Sequence, residues 1–289
     1  MNYIIDRLYQ YALLMRLHRP IGIFLLLWPT LWALWLASES HPDPLITAVF
    51  ILGVILMRSA GCVINDYADR HFDPQVQRTQ DRPLAAGRVS ETEALMVFGV
   101  VSLIAFILVL QLNWLTIALS LVAILLAVSY PFTKRYTHWP QAYLGIAFGW
   151  GIPMAYAAQT GEIPPLAWLL LIINILWAIA YDTMYAMVDR EEDKLIGVKS
   201  TAILFGSADK IIIGSLHFVV LLLLFSIGQE LQLAIWYNLG LLVAASLSLY
   251  QQWLIRHRQR QGCFQAFLNN HWFGAAIFIG IAAAYYYGG

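Results

Sequence analysis

Long apolar runs separated by short polar breaks set the pattern of this chain. A membrane-crossing helix needs about 20 apolar residues, or about 17–25 when tilt is allowed. By that measure the sequence predicts nine spans, at roughly residues 21–37, 45–65, 93–111, 114–131, 139–158, 164–187, 210–228, 232–252 and 267–286. The tightest breaks, Gln111-Leu-Asn-Trp114 and Gly228-Gln-Glu-Leu-Gln232, predict antiparallel neighbours. Longer polar connections cover 66–92, 188–209 and 253–266. The expected fold is all-α, a polytopic membrane protein forming a single transmembrane domain over residues 1–289.

The charges sharpen this into a topology. With the spans numbered in order, all 17 Lys and Arg fall on one side. They lie in the N-terminal segment, in the connections after spans two, four, six and eight, or at the inner ends of spans, as Arg58 and Lys210 do. The opposite connections hold only Glu39, Asp43, Glu162 and Glu230. The positive-inside bias then predicts a cytoplasmic N-terminus and a C-terminus on the far side. Trp28, Trp32 and Trp35, with Tyr285–Tyr287, read as aromatic anchors at the outer interface. The first apolar run ends at Trp32 and Trp35 rather than at small residues, so a cleavable signal is not expected.

Composition agrees. The chain is 60% hydrophobic and 12% charged, where a soluble domain would carry about 25% charge. Net charge is +0, and no nucleic-acid partner is expected. Cys62 and Cys263 lack zinc spacing and read as small buried residues rather than a disulfide.

Two acidic clusters break the apolar pattern. Span two reaches Asn65 almost without charge, and Asp66, Asp69 and Asp73 follow. If the helix continues, Asn65, Asp69 and Asp73 share one face at i, i+4 and i+8. The second cluster, Asp182, Asp189 and Asp193, is spaced i, i+7 and i+11 and also lies roughly on one face. A solvated helix end is the plain alternative for each. Acceptor groups massed at a membrane boundary are costly unless neutralised. Mg²⁺ is held by one or two carboxylates together with water and substrate phosphates. The two clusters are therefore expected to face each other and hold Mg²⁺ on a diphosphate.

Basic residues lie on the same side. Arg78 and Arg82 are one turn apart, Lys134 and Arg135 follow span four, and Lys199 precedes span seven. Positive-inside bias alone would place them there. Their functional reading is binding of phosphate or of an acidic acceptor, which guanidinium forks match in geometry. Arg58 lies seven residues before Asn65, two turns deeper on the same face. It either snorkels to the interface or points into the cavity beside the carboxylates. Arg16 carries a weaker version of the same reading. Gly145, Gly149, Gly151 and Pro153 in span five suggest close helix packing or a break near a cavity.

At these residues the chain resembles the UbiA superfamily of intramembrane aromatic prenyltransferases. The resemblance runs through Arg19-Pro-Ile-Gly22, Gly61-Cys-Val-Ile-Asn-Asp-Tyr-Ala-Asp-Arg70, Arg82-Pro-Leu84, Lys134-Arg-Tyr-Thr-His138, Tyr185-Ala-Met-Val-Asp-Arg190 and Lys199-Ser-Thr-Ala-Ile-Leu-Phe-Gly206. The Tyr181-Asp-Thr183 to Lys199-Ser-Thr201 block and the Lys134 block point to its 4-hydroxybenzoate branch. The resemblance implies nine helices around a central cavity with cytoplasmic cap loops, in a bacterial inner membrane. It implies polyprenyl diphosphate and 4-hydroxybenzoate as substrates. It also implies Mg²⁺ held through Asn65, Asp69, Asp73, Asp182, Asp189 and Asp193, with Asp189 and Arg135 in catalytic roles. Arg58, Arg78, Lys134, Lys199 and Tyr185 are the candidate substrate contacts. Another aromatic acceptor, a naphthoate or homogentisate, is the alternative within the family.

A cation transporter would instead place acids near the bilayer midplane, often in broken helices. Here most acids sit at one face, and the outer half of each span is almost uncharged.

Overall fold

A computed structural model describes residues 2–233 and 235–287. It is all-α among the described residues, and every expected span is helical there. A short helix, α1 (Asn2–Leu14), precedes α2 (Ile21–Ala37), α3 (Pro44–Asp69), α4 (Glu91–Val109) and α5 (Trp114–Thr133). The fifth expected span is two helices, α6 (Pro140–Gly149) and α7 (Gly151–Thr160). Then come α8 (Pro165–Leu195), the short α9 (Thr201–Phe205), α10 (Asp209–Glu230), α11 (Ile235–Ile255) and α12 (Arg260–Tyr287).

Local signals set the ends. Asp43 caps α3 by accepting from the backbone N–H of Leu45 and Ile46, and Pro44 fits the first helical position, where no intrahelical N–H bond is needed. Ser90 and Glu93 form a reciprocal capping box on α4. Asn113 caps α5 and also donates 2.6 Å to the carbonyl of Ala157, tying α5 to α7. Gly161 ends α7 at φ +80, a conformation open to glycine without a Cβ penalty.

The break between α6 and α7 has a cause in Pro153. It has no N–H for the Gly149 carbonyl, and its ring presses on that carbonyl in a continued helix. The glycines beside the break serve packing. A Cβ on Gly145 would lie 2.7 Å from the Ile175 Cα, and one on Gly151 would lie 2.7 Å from the Thr30 hydroxyl. Both readings made for this span hold together: it is broken, and it packs closely.

Among the described residues, six helical stretches are long and apolar enough to cross a membrane: α3, α4, α5, α8, the run Thr201–Glu230, and α12. α2 is a shorter apolar helix of the same kind. α12 packs on both α11 and α2, so the last long helix closes on the first. Outward faces carry Leu103, Ile107, Leu125, Phe218, Leu242 and Leu249, all largely exposed. Water does not solvate such a belt well, whereas lipid tails do.

The tryptophans of α2 correct one expectation. Trp32 is fully buried, not an interfacial anchor. Its indole N–H donates 3.0 Å to the Gly274 carbonyl of α12, and its ring packs 5.5 Å from that of Trp177 on α8. Close approach of α2, α8 and α12 encloses it. Tyr286 and Tyr287 remain exposed, as an anchoring role requires. Cys62 and Cys263 are buried free thiols.

Candidate active site

The acidic residues collect at the end of the bundle where α3 finishes and α8 overruns its apolar stretch. Asn65 and Asp69 lie one turn apart on α3, and Asn65 Nδ2 donates 3.2 Å to Asp69 Oδ2. Asp73 does not extend that face. The helix stops at Asp69, and Asp73 opens a 3₁₀ turn, Asp73–Gln75. In a continued helix Pro74 would leave the Arg70 carbonyl without a donor and press its ring against it. The turn nonetheless brings Asp73 back to the cluster. Arg82 Nη1 donates 2.8 Å to Asp73 and 3.0 Å to Asp66, and Arg16 forms a second ion pair with Asp66. Burial pushes the Asp73 carboxyl up to about 6 against the pull of Arg82, and Asp66 and Asp69 push it the same way.

α8 runs on to Leu195 as one helix, so Asp182, Asp189 and Asp193 keep the expected spacing on it. Asp189 is buried, whereas Asp182 and Asp193 are half-buried.

Two basic residues join the clusters to their surroundings. Arg78, from the connection after α3, grips Asp189 on α8 through Nε at 2.9 Å and Nη2 at 2.6 Å. Its third nitrogen donates to the Tyr185 hydroxyl, and its guanidinium lies 4.8 Å over the Tyr185 ring. Lys134, at the end of α5, pairs with Asp69. Gln77, Arg78, Val188, Asp189 and Arg260 line a cleft of about 240 Å³ beside this junction. A larger cavity of about 390 Å³ lies within the bundle, walled by apolar side chains including Leu26, Met57, Phe106 and Phe148.

Three other expected residues stand differently. Arg135 donates to the carbonyl of Ala68 and packs over Phe72 and Phe132, with no carboxylate partner among the described residues. Lys199 is tied to the end of α5: its N–H donates 3.0 Å to the Lys134 carbonyl and its ammonium 3.2 Å to the Tyr136 carbonyl. Arg58 points inward against α2, and its buried Nε has no hydrogen-bond partner among the described residues.

Sequence reasoning missed Arg260, which opens α12. Its Nε donates 2.8 Å to the Val188 carbonyl, and its Nη2 lies 2.6 Å from Glu192 and 3.8 Å from Asp189. It also missed Asp209, fully buried between Arg190 and Arg258. Each is one charge in a connection where basic residues are the rule, so the sequence offers no signal that singles it out.

The donor set suits a hard cation. Carboxylate and amide oxygens are the ligands Mg²⁺ takes, and the buried Oδ1 of Asp69 has no hydrogen-bond partner among the described residues. Among those residues no three acidic, histidine or cysteine side chains converge into a preformed metal cage. A site of this kind fits a cation brought with its phosphates.

The profile of the UbiA prenyltransferase family matches residues 26–281. The 4-hydroxybenzoate octaprenyltransferase of Methylococcus capsulatus is 63% identical over 279 residues, covering 96% of both chains. That of Alkalilimnicola ehrlichii is 60% identical over 288 residues, covering 100% of this chain and 98% of the relative. Among solved structures, the apo UbiA homolog from Aeropyrum pernix K1 superposes with a TM-score of 0.78 at 25% identity, covering 92% and 97% of the two chains. A UbiA homolog from Archaeoglobus fulgidus bound to DMAPP and Mg²⁺ gives a TM-score of 0.75 over 96% and 98%; at 16% identity it shares the fold. Family profile, full-length relatives and fold converge: the chain belongs to the UbiA prenyltransferase family.

Proposed function

We propose that the chain is a Mg²⁺-dependent 4-hydroxybenzoate polyprenyltransferase. It moves a polyprenyl group from polyprenyl diphosphate to the ring carbon ortho to the hydroxyl of 4-hydroxybenzoate. The products are 3-polyprenyl-4-hydroxybenzoate and diphosphate, within ubiquinone biosynthesis. Relatives at 57–63% identity carry this activity in their names with an octaprenyl donor. The observation that carries the reading is the Arg78–Asp189 grip, which joins the connection after the first aspartate cluster to the second.

Asn65, Asp69 and Asp73 on one side, and Asp182, Asp189 and Asp193 on the other, are the residues that would hold Mg²⁺. Bound there, it would neutralise the diphosphate so that this group can leave the allylic carbon. Arg78 and Lys134, now paired with carboxylates, lie where they can turn to phosphate oxygens and stabilise the departing charge. The apolar cavity between α2, α3, α4, α5 and α7 gives the prenyl tail a dry place beside lipid, and the bundle keeps water from the allylic cation. Asp189 is the candidate acceptor of the ring proton. Arg58, half-buried with its Nε enclosed and with no carboxylate partner among the described residues, suits the acceptor's carboxylate. Arg135 steadies the end of α3 through Ala68, next to Asp69. With all 17 Lys and Arg on one side, the site faces the cytoplasm.

The deciding assay offers membranes containing the protein polyprenyl diphosphate with 4-hydroxybenzoate, a naphthoate or homogentisate, with and without Mg²⁺. Prenylated 4-hydroxybenzoate, formed only with Mg²⁺, is the expected product. Prenylation of another acceptor alone would overturn the acceptor assignment and leave family membership standing.

A further inference from the structure

Arg58 occupies the one spot on α2 where a side chain is missing. Gly22 is buried in the first turn of α2, and a Cβ there would overlap the Nε, Cζ and Nη2 atoms of Arg58. The guanidinium lies in the space that any other residue would fill. Its setting is unlike that of the neighbouring basic groups. Arg16, Arg78, Arg82 and Lys134 each meet a carboxylate, whereas Arg58 meets none among the described residues.

Other glycines show that this contact is particular. On α3 itself, a Cβ on Gly53 or Gly61 would meet nothing within 4 Å. A Cβ on Gly145 would strike the backbone of α8 at Ile175, so substitution there disturbs helix packing. At Gly22 the nearest atoms are the far end of a flexible side chain. A methyl group there pushes a charge aside and leaves the backbone in place.

We infer that Gly22 is a positioning residue: by leaving its Cβ site empty it fixes where Arg58 presents its guanidinium, and so sets the affinity for the acceptor's carboxylate. The inference rests on the reading that Arg58 holds that carboxylate. A guanidinium recognises a carboxylate through paired, directional N–H bonds, so displacement by an ångström or more breaks the match.

A double-mutant cycle on the full-length protein in membranes tests this. Gly22→Ala is expected to raise KM for 4-hydroxybenzoate about tenfold or more while leaving KM for the prenyl diphosphate within about twofold. Arg58→Lys is expected to raise the same KM, and Gly22→Ala is expected to add less than about twofold in that background, because lysine has already lost the directional fork that a displacement would misalign. If Arg58→Lys raises KM but Gly22→Ala does not, or if the two effects multiply, the inference about Gly22 fails alone. If Arg58→Lys leaves KM unchanged, the acceptor role of Arg58 fails and takes the inference with it. If Gly22→Ala yields no folded protein, the Gly22→Ala, Arg58→Ala double variant decides. It must fold as well as Arg58→Ala, since the nearest obstructing atoms are gone, and a misfolded double variant overturns the inference.

Discussion

Arg78 and Asp189 stand 111 residues apart in sequence and share three hydrogen bonds, from Nε at 2.9 and 3.2 Å and from Nη2 at 2.6 Å. A fork-to-carboxylate contact of this kind fixes direction as well as distance. It brings the connection after α3 onto the C-terminal part of α8, next to Tyr185 and Asp193 of the same helix. Lys134 plays a matching part on Asp69. Arg78 and Lys134 thus tie the acidic residues of the site to their surroundings. On the proposed function, a metal diphosphate would supply both signs at once, cations to the carboxylates and phosphate to the arginine and lysine.

Arg78→Lys tests that arrangement. Lysine keeps the charge but loses the fork and the reach to both Asp189 and Tyr185. Loss of one preorganised donor to a developing anion lowers kcat by about 10²–10³-fold. The expected outcome is a fall of that size in kcat for prenyl transfer, with KM for 4-hydroxybenzoate little changed. A fully active variant would remove Arg78 from the reaction.

Asp69→Asn and Asp189→Asn test the two-cluster model. Each keeps the shape of the side chain and removes its charge, so each is expected to fold. Transfer by either is expected to be nearly lost at ordinary Mg²⁺, with any residual activity needing higher Mg²⁺. A Mg²⁺ titration of the folded variants checks this. Full transfer at the normal Mg²⁺ requirement would sink the model.

The topology is open to a labelling test that the native cysteines do not obscure. Cys62 and Cys263 are buried, so an impermeant maleimide is expected to leave the native protein unlabelled in intact cells. Cysteine placed at Glu162 or Glu230 is expected to react from outside, and cysteine at Gln259 only after the membrane is opened. Labelling of Gln259→Cys in intact cells would invert the orientation and place the site on the other face.

Much of this was legible in the residues themselves. Nine apolar runs and the one-sided Lys and Arg located the helices, because a bilayer imposes length and charge rules on each span separately. The α8 cluster was legible too, since helical spacing is a local property. The shared face expected for Asp73 if the helix continued does not form, because Pro74 ends helix periodicity there. The ion-pair partners were not legible. Arg78 finding Asp189, or Arg260 reaching Val188, depends on which helix ends pack together, and no local pattern encodes that. Trp32 shows the same limit: three tryptophans on one span read as an interfacial girdle, and only the approach of α8 and α12 makes one of them core.

Trp32 therefore carries the test of the bundle's closure. Its ring is fully buried against Trp177, and its N–H satisfies the Gly274 carbonyl, so it joins α2 to both α8 and α12. Trp32→Phe keeps an aromatic contact but leaves the buried carbonyl without its donor, a loss of about 1–3 kcal/mol. Trp32→Ala removes the ring as well and is expected to cost about 3–5 kcal/mol. Trp114 is 78% exposed, and Trp114→Ala is expected to change stability by no more than about 0.5 kcal/mol. Thermal unfolding of the three variants in detergent checks the order. If Trp32→Ala unfolds no earlier than Trp114→Ala, the ring is an interfacial anchor after all, and α2 does not close against α8 and α12 as the structure has it.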